Sequence, residues 1–200
     1  MLQLPNQQIG DAWFFVHDDT CHAYFLTCPM HVKRHTLWDV GHATSRDLKS
    51  WDYLGLCFER APEPAWDATL ATGAVVEWDG RFVMAYTGHR TARVGVALSD
   101  DLHHWERLSD APVTAPEAPH YALVSHGFRT HTHWRDPGLF THDGFLYHAV
   151  CASRSDPPPP TGRHVGTADI DRSGALADPV PIAAGPQGFS ASPPAPSASV

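Results

Sequence analysis

The sequence predicts an all-β fold, a β-propeller of which about three blades are present. The first observation is a repeat, since VGHATSRDLKSWDYLG at residues 40–55 matches VGVALSDDLHHWERLS at residues 94–109, and a shorter copy begins at Val165. The second is an element ahead of each copy, in which an Asp-rich turn separates two apolar or aromatic runs. Such a pattern is typical of a β-hairpin. Each unit thus has about four strands, as a propeller blade does.

The individual elements follow from this unit. The hairpins are DAWFFVHDDTCHAYFLTC, TGAVVEWDGRFVMAYTG and DPGLFTHDGFLYHAVCAS, which are rich in Val, Phe, Tyr and Trp and therefore favour strands. The Asp-Leu turns of the repeat place Asp47 and Asp101 where an aspartate side chain bonds the turn backbone. Trp51 and Trp105, which follow these turns, are predicted to pack within the blades.

Chain length sets the domain prediction. Residues 1–183 are predicted to form a partial propeller, and residues 184–200 a Pro/Ser/Ala tail whose composition indicates disorder. At roughly 45–60 residues per unit, 200 residues hold about three blades. An unclosed array exposes strand edges, so self-association or instability is expected. The length also favours a truncated or frame-shifted version of a longer enzyme.

Composition excludes several functions. A formal charge of −8 leaves no basic stripe for nucleic acid, and no apolar run is long enough to cross a bilayer. The N-terminus lacks the features of a signal peptide, which predicts a cytoplasmic protein. The four cysteines include no C-x-x-C pair, and no carboxylate or cysteine completes a ligand set with the histidines. We therefore expect no metal and no cofactor.

The repeats also supply a register for the inner strands. Each hairpin turn begins with an aspartate, and the residue seven positions before it marks the same place in each unit. We call these three the register residues: they are Asp11, Thr72 and Asp136, which precede Asp18, Asp79 and Asp143. Because the first strand of each blade is innermost, all three are predicted to converge on the central funnel. Two of them are carboxylates, and a pair of carboxylates at one sugar-sized site is what glycoside hydrolysis requires.

With Arg135, Asp136 and Pro137 at this register, the repeated Asp-Leu-x-x-Trp and AVVEWDGRFVMAYTG, the chain resembles the five-bladed propeller glycosidases. It is most similar to glycoside hydrolase family 32, the β-fructosidases, levanases and invertases, and more distantly to family 43. The likeness runs from about Ile9 to about Ala183.

This resemblance implies an enzyme that hydrolyses O-glycosyl bonds of an oligosaccharide or small glycoside. Asp11 matches the nucleophile, and Asp136 matches the carboxylate that binds sugar hydroxyls and stabilises the oxocarbenium-like transition state. Arg135 would hold that carboxylate and the substrate. The other predicted substrate-binding residues are Thr72 and three tryptophans near the strand starts, Trp13, Trp66 and Trp134.

The chain departs from the family pattern at the general acid. The family's glutamate is expected at the start of a blade after the Arg-Asp-Pro blade, and nothing in the sequence matches it. Glu117 is the only loop glutamate that could reach the funnel, and a solvated loop position is favoured for it. Loss of leaving-group protonation would cost about 10²–10⁴-fold in rate.

Two alternatives stay open at this point. In a family 43-like arabinofuranosidase or xylosidase, which inverts, Asp11 would be the base. Retaining and inverting enzymes differ in carboxyl separation, about 5–5.5 Å against about 6.5–9.5 Å. The other alternative is a carbohydrate-binding remnant without catalysis, which the missing glutamate favours.

Overall fold

The computed structural model describes residues 2–33, 37–116, 121, 133–142 and 145–152. Its first sheet is an antiparallel meander in which each strand pairs with the next along the chain. The four strands are β1 (Gln7–His17), β2 (Thr20–Pro29), β3 (Asp39–Ser45) and β4 (Asp52–Phe58).

A second meander follows with the same topology. Its strands are β5 (Leu70–Trp78), β6 (Arg81–Gly88), β7 (Arg93–Ser99) and β8 (Glu106–Arg107). The third sheet is the hairpin of β9 (Trp134–His142) and β10 (Phe145–Ala152). Blade-like sheets and the all-β class confirm the predicted fold, because the described residues contain strands and no helix. The copy at Val165 and the tail lie outside the described residues.

The first two predicted hairpin turns form where expected, and the third, at residues 143–144, lies outside the described residues. His17 pairs with Thr20 and Trp78 with Arg81, so each turn has two residues. Both residues of each turn have positive φ, 46° and 57° at Asp18 and Asp19, and 53° and 74° at Asp79 and Gly80. This is the backbone of a type I′ turn, whose twist matches that of the flanking strands.

The Asp-Leu turns have the same hydrogen bonds in both blades. Asp47 Oδ1 accepts from the N–H groups of Lys49 and Ser50 at 2.8 and 2.7 Å, which lowers the pKa of that carboxyl. Asp101 Oδ1 accepts from the corresponding pair, His103 and His104, at the same distances. The structural role predicted for these two aspartates is confirmed.

One core joins the first two blades. It contains large side chains from both sheets, packed face to face between them. The first blade, including the loop before β3, contributes Trp13, Tyr24, Leu26, Trp38 and Val40, and the second blade, including the turn between β7 and β8, contributes Leu70, Met84, Tyr86, Leu102 and Trp105. The Tyr24 hydroxyl also donates a 2.7 Å hydrogen bond to the Leu102 carbonyl, so the second Asp-Leu turn docks on the first blade.

The outer face of the first blade carries exposed apolar side chains. Leu48, the repeat partner of the buried Leu102, is 67% exposed, and Phe14 and Val16 of β1 are 59% and 66% exposed. The expected self-association through the edge of an unclosed propeller stays a prediction. None of the described residues forms a helix long and apolar enough to span a membrane.

A buried ion pair fastens the end of the second blade to the first. Asp67 is 2% exposed and accepts from Arg107 Nε at 2.8 Å and from the Tyr86 hydroxyl at 3.2 Å. The Arg107 guanidinium lies 4.4 Å from the centroid of the Phe58 ring and donates to the Glu59 carbonyl at 2.7 Å. One arginine thereby compensates a buried charge and contacts both sheets.

All three inner strands carry a β-bulge near their start. Between the paired residues Ile9 and Ala12, β1 has two residues where β2 has one. Between Ala71 and Gly73, β5 has one residue where β6 has none. Between Arg135 and Gly138, β9 has two residues where β10 has one. Each inner strand therefore has one extra residue, and the register residues lie within these bulges. Bulges redirect side chains in this way next to active sites.

Gly73 is required for the bulge of β5. A Cβ at this position would lie 2.4 Å from the backbone oxygen of Ala85, whereas a Cβ at Gly138 of β9 would meet nothing within 4 Å. We expect Gly73→Ala to lower the free energy of unfolding in urea by about 1–3 kcal/mol, because backbone must shift. Gly138→Ala, the control, should be neutral or slightly stabilising. Equal effects of the two substitutions would contradict this account of the bulge.

Three histidines form a hydrogen-bonded chain between the blades. His42 is 1% exposed, and its Nε2 lies 3.0 Å from His22 Nδ1 while its Nδ1 lies 2.9 Å from His103 Nδ1. Tyr24 stacks on the His42 ring at 4.7 Å. Because His42 uses opposite nitrogens for its two partners, the three rings do not surround one point. Among the described residues no cluster of His, Cys, Asp or Glu could hold a metal ion.

Burial, together with the neighbouring His22 and His103, lowers the pKa of His42 to about 3, although Asp101 opposes the shift. Burial also lowers the pKa of His22. In the unfolded chain His42 takes up a proton near the ordinary histidine pKa of about 6.5, whereas in the folded chain it stays neutral at that pH. The free energy of unfolding that depends on neutral His42 is therefore fully present above pH 6.5 and is lost as the pH falls toward 3.

We expect the free energy of unfolding to decrease between pH 6.5 and 5, with His42 contributing at most about 1.4 kcal/mol per pH unit. His42→Gln keeps one donor and one acceptor but does not titrate, so its profile should be flatter. His31→Gln, in the exposed loop after β2, serves as the control and should follow the parent. Identical slopes for the chain and His42→Gln would contradict the prediction.

Candidate functional site

The first two register residues meet across the blade boundary. Asp11 lies in the bulge of β1 and Thr72 in the bulge of β5, and the Thr72 hydroxyl donates to Asp11 Oδ2 at 3.1 Å. Asp11 is exposed and Thr72 half-buried. The other carboxylate oxygen, Oδ1, has no protein hydrogen bond among the described residues, so the hydroxyl orients the carboxylate while leaving an oxygen for another group.

The third register residue is joined to the second through the backbone. The Asp136 N–H donates to the Thr87 hydroxyl at 3.1 Å, and the same hydroxyl donates to the Thr72 carbonyl at 3.1 Å. Asp136 is exposed and has a φ of 54°, which is uncommon for a residue other than glycine. The structure thus connects the starts of all three inner strands by hydrogen bonds.

Arg135 lies beside the Asp136 carboxylate. Its Nε is 3.4 Å from Asp136 Oδ2, within ion-pair distance, while that nitrogen has no hydrogen bond of good geometry. Both side chains are about two-fifths exposed, at 38% for Arg135 and 41% for Asp136. At this exposure the pair gains little from Coulomb attraction alone, and its main effect is to place a cation beside the Asp136 carboxylate.

The three tryptophans predicted to bind substrate are engaged in packing. Trp13 is 7% exposed and stacks on Tyr24, with ring centroids 6.1 Å apart. Trp134 is 8% exposed and donates to the Thr114 hydroxyl at 3.1 Å. Trp66 stacks on Tyr86 at 5.6 Å and donates to the Asp110 carbonyl at 2.9 Å. That these tryptophans stack on sugars stays a prediction.

Among the described residues, no hydrogen bond or ion pair joins a glutamate to Asp11 or Asp136. Glu77 lies beside His17 near the hairpin turns, with 3.5 Å between Oε2 and the ring nitrogen, and Glu63 pairs with Arg90. Glu59 and Glu106 are exposed beside the outer strands. Glu117, the loop glutamate considered above, lies outside the described residues.

Sequence reasoning missed Thr87, which links two register residues. A signal for it existed, because a buried threonine stands near the end of the second strand in both complete blades, as Thr27 and Thr87. The hydroxyl of Thr27 donates within its own blade, to Gln7 and Gln8, and only that of Thr87 reaches another sheet.

The chain resembles solved glycosidase structures. A sucrose-6-phosphate hydrolase from Lactobacillus gasseri is 27% identical, with a TM-score of 0.57 over 74% of this chain and 29% of that one. A β-fructofuranosidase from Schwanniomyces occidentalis, complexed with fructosyl-erythritol, is 18% identical with a TM-score of 0.58 over 75% of this chain and 30% of that one. A family 117 glycoside hydrolase from Zobellia galactanivorans is 18% identical, also at 0.58, over 74% and 49%.

At 18% identity the last two likenesses concern the fold alone. The chain spans between 29% and 49% of the length of these three proteins. Comparison with curated protein sequences gives no significant match. The family model of the glycosyl hydrolases family 32 N-terminal domain matches residues 11–158, a stretch that begins at the first register residue and includes the third. On this match, the chain belongs to glycosyl hydrolases family 32.

Proposed function

We propose that the register residues form the sugar site of a glycoside hydrolase that acts on furanosyl linkages of the fructosyl type by a retaining mechanism. The observation that carries the proposal is the contact of Asp11 with Thr72, which joins the starts of two inner strands around an exposed carboxylate. Membership of family 32 and the likeness to a sucrose-6-phosphate hydrolase support the substrate class.

In this mechanism Asp11 is the nucleophile. Its carboxylate attacks the anomeric carbon, the glycosidic C–O bond breaks, and the electron pair leaves with the departing oxygen. Water then attacks the same carbon and loses a proton to the solvent, and the bond from that carbon to the Asp11 oxygen breaks, which frees the carboxylate. The hydrogen bond from Thr72 holds the attacking carboxylate in one orientation, so the reacting atoms need not be ordered at the moment of reaction.

Asp136 and Arg135 act on the sugar and its developing charge. An exposed carboxylate at the third strand start can accept hydrogen bonds from sugar hydroxyls and stabilise positive charge on the ring. Arg135, which lies 3.4 Å from that carboxylate, holds its charge in place and can donate to the substrate.

Departure of the leaving group is the step that these residues support least. The described glutamates Glu77 and Glu63 pair with His17 and Arg90, and no described contact brings a glutamate to the two aspartates, so in this proposal an alkoxide leaves without a proton donor. General acid catalysis is worth about 10²–10⁴-fold. An aryl leaving group is stable as a phenolate and needs little such help. We therefore propose that the chain cleaves aryl fructofuranosides far better than sucrose.

The test uses p-nitrophenyl β-fructofuranoside with three variants. Asp11→Asn should lower kcat by at least about 10³-fold, since it removes the nucleophile, and Asp136→Asn by about 10²–10³-fold, since it removes an electrostatic partner. Asp19→Asn, in the exposed turn after β1, is the control and should retain the parent rate. NMR of the first sugar anomer released distinguishes retention from the family 43-like alternative, in which Asp11 is the base.

Wild-type turnover that survives in Asp11→Asn would contradict the nucleophile assignment, and an inverted first product would contradict the retaining mechanism. Binding of the fructofuranoside without cleavage, lost in Asp136→Ala, would favour the second candidate, a carbohydrate-binding module. The observation that keeps this candidate open is the pair of aspartates without a glutamate among the described strand starts.

A further inference from the structure

Thr87 occupies a position that the proposed chemistry does not use directly. It lies on β6, is 1% exposed, and its side chain contacts neither the surface nor the carboxylates. A backbone N–H can only donate and a carbonyl oxygen can only accept, so the direction of each of the two hydrogen bonds of the Thr87 hydroxyl is fixed. The hydroxyl accepts from Asp136 N–H and donates to the Thr72 carbonyl.

The backbone at Asp136 needs such a partner. Its φ of 54° is in the left-handed region, where residues with a Cβ are strained, and Pro137 follows it and favours an extended conformation for the preceding residue. The bulge also removes Asp136 from regular pairing with β10, because the pairing jumps from Arg135 to Gly138. The amide would otherwise lack a ladder partner, and Thr87 supplies one from the neighbouring blade.

We propose that Thr87 is a positioning residue that fixes the Asp136 carboxylate relative to Asp11. The route runs from Asp136 N–H through the Thr87 hydroxyl to the Thr72 carbonyl, and from the Thr72 hydroxyl to Asp11. This inference rests on the proposed function. It makes one buried hydroxyl, on a strand without a reacting group, responsible for the separation of the two carboxylates.

Two substitutions separate the hydroxyl from the shape of the side chain. Thr87→Val is nearly isosteric and removes both hydrogen bonds, whereas Thr87→Ser keeps the hydroxyl and loses a methyl group. Thr27→Val is the matched control, since Thr27 is 0% exposed and lies near the end of the second strand of the first blade, while its hydroxyl bonds only within that blade, to Gln7 and Gln8. Amide spectra of the full chain show first that each variant is folded.

The first readout is the hydrogen-exchange rate of the Asp136 amide, which does not require activity. We expect Thr87→Val to raise it about tenfold, because a hydrogen bond of ordinary strength is lost. Thr87→Ser and Thr27→Val should stay near the parent rate. An unchanged Asp136 rate in a folded Thr87→Val chain would overturn the proposal.

The second readout is the kinetics with p-nitrophenyl β-fructofuranoside. Thr87→Val should lower kcat by about 10–10²-fold, as misplacement of a reacting group does, with a smaller change in KM, and Thr87→Ser should recover most of the loss. Parent kcat in Thr87→Val, with Asp11→Asn inactive, would overturn the positioning role and leave the proposed function standing. No turnover by the parent chain would contradict the proposed function, and the catalytic part of this inference with it.

Discussion

Strands in a sheet pair residue for residue, and their side chains alternate between the two faces. A residue at the start of a regular inner strand therefore points at one neighbouring blade or the other, and not along the strand toward a shared centre. One extra residue in each inner strand breaks this alternation at the register residues. The contact of Asp11 with Thr72 and the bond from Asp136 to Thr87 both depend on that local break.

The bulges could not act together if the blades moved against each other. The core packed between the first two sheets prevents such movement, and two sets of polar contacts also fix how the sheets are oriented. Asp67 and Arg107 join the ends of the two blades, and the histidine chain through His42 joins the first sheet to the Asp-Leu turn of the second blade. Removal of one partner from such a buried pair is costly because it leaves an unpaired charge. A rigid blade boundary is what lets a 3.1 Å contact between two strand starts persist.

Sequence predicted the elements whose signals are local. The two-residue turns need positive φ, which Asp79-Gly80 supplies readily, and the Asp47 and Asp101 turns depend on bonds to residues two and three positions away. The position of the register residues followed from counting back along one strand. Their contacts did not, because a bulge is a property of two paired strands and a repeat count along one strand does not contain it.

The tryptophans and Thr87 show what the sequence lacked. An aromatic ring near a strand start can lie against a sugar or against a neighbouring sheet, and only the packing of Trp13 on Tyr24 separates these cases. Thr87 reads in sequence as one more β-branched strand residue, while its partners lie 15 and 49 positions away. The buried pair of Asp67 and Arg107, 40 positions apart, was invisible for the same reason.

The central claim is that Asp11, Thr72 and Asp136 belong to one sugar site, and the most direct test is an NMR titration of the ¹⁵N-labelled chain with methyl β-fructofuranoside. It detects weak binding and does not depend on turnover. The account predicts that the amide signals of all three residues shift together and fit a single dissociation constant. Shifts confined to one of the three, or to residues elsewhere, would contradict it, as would no shift at all at high sugar concentration.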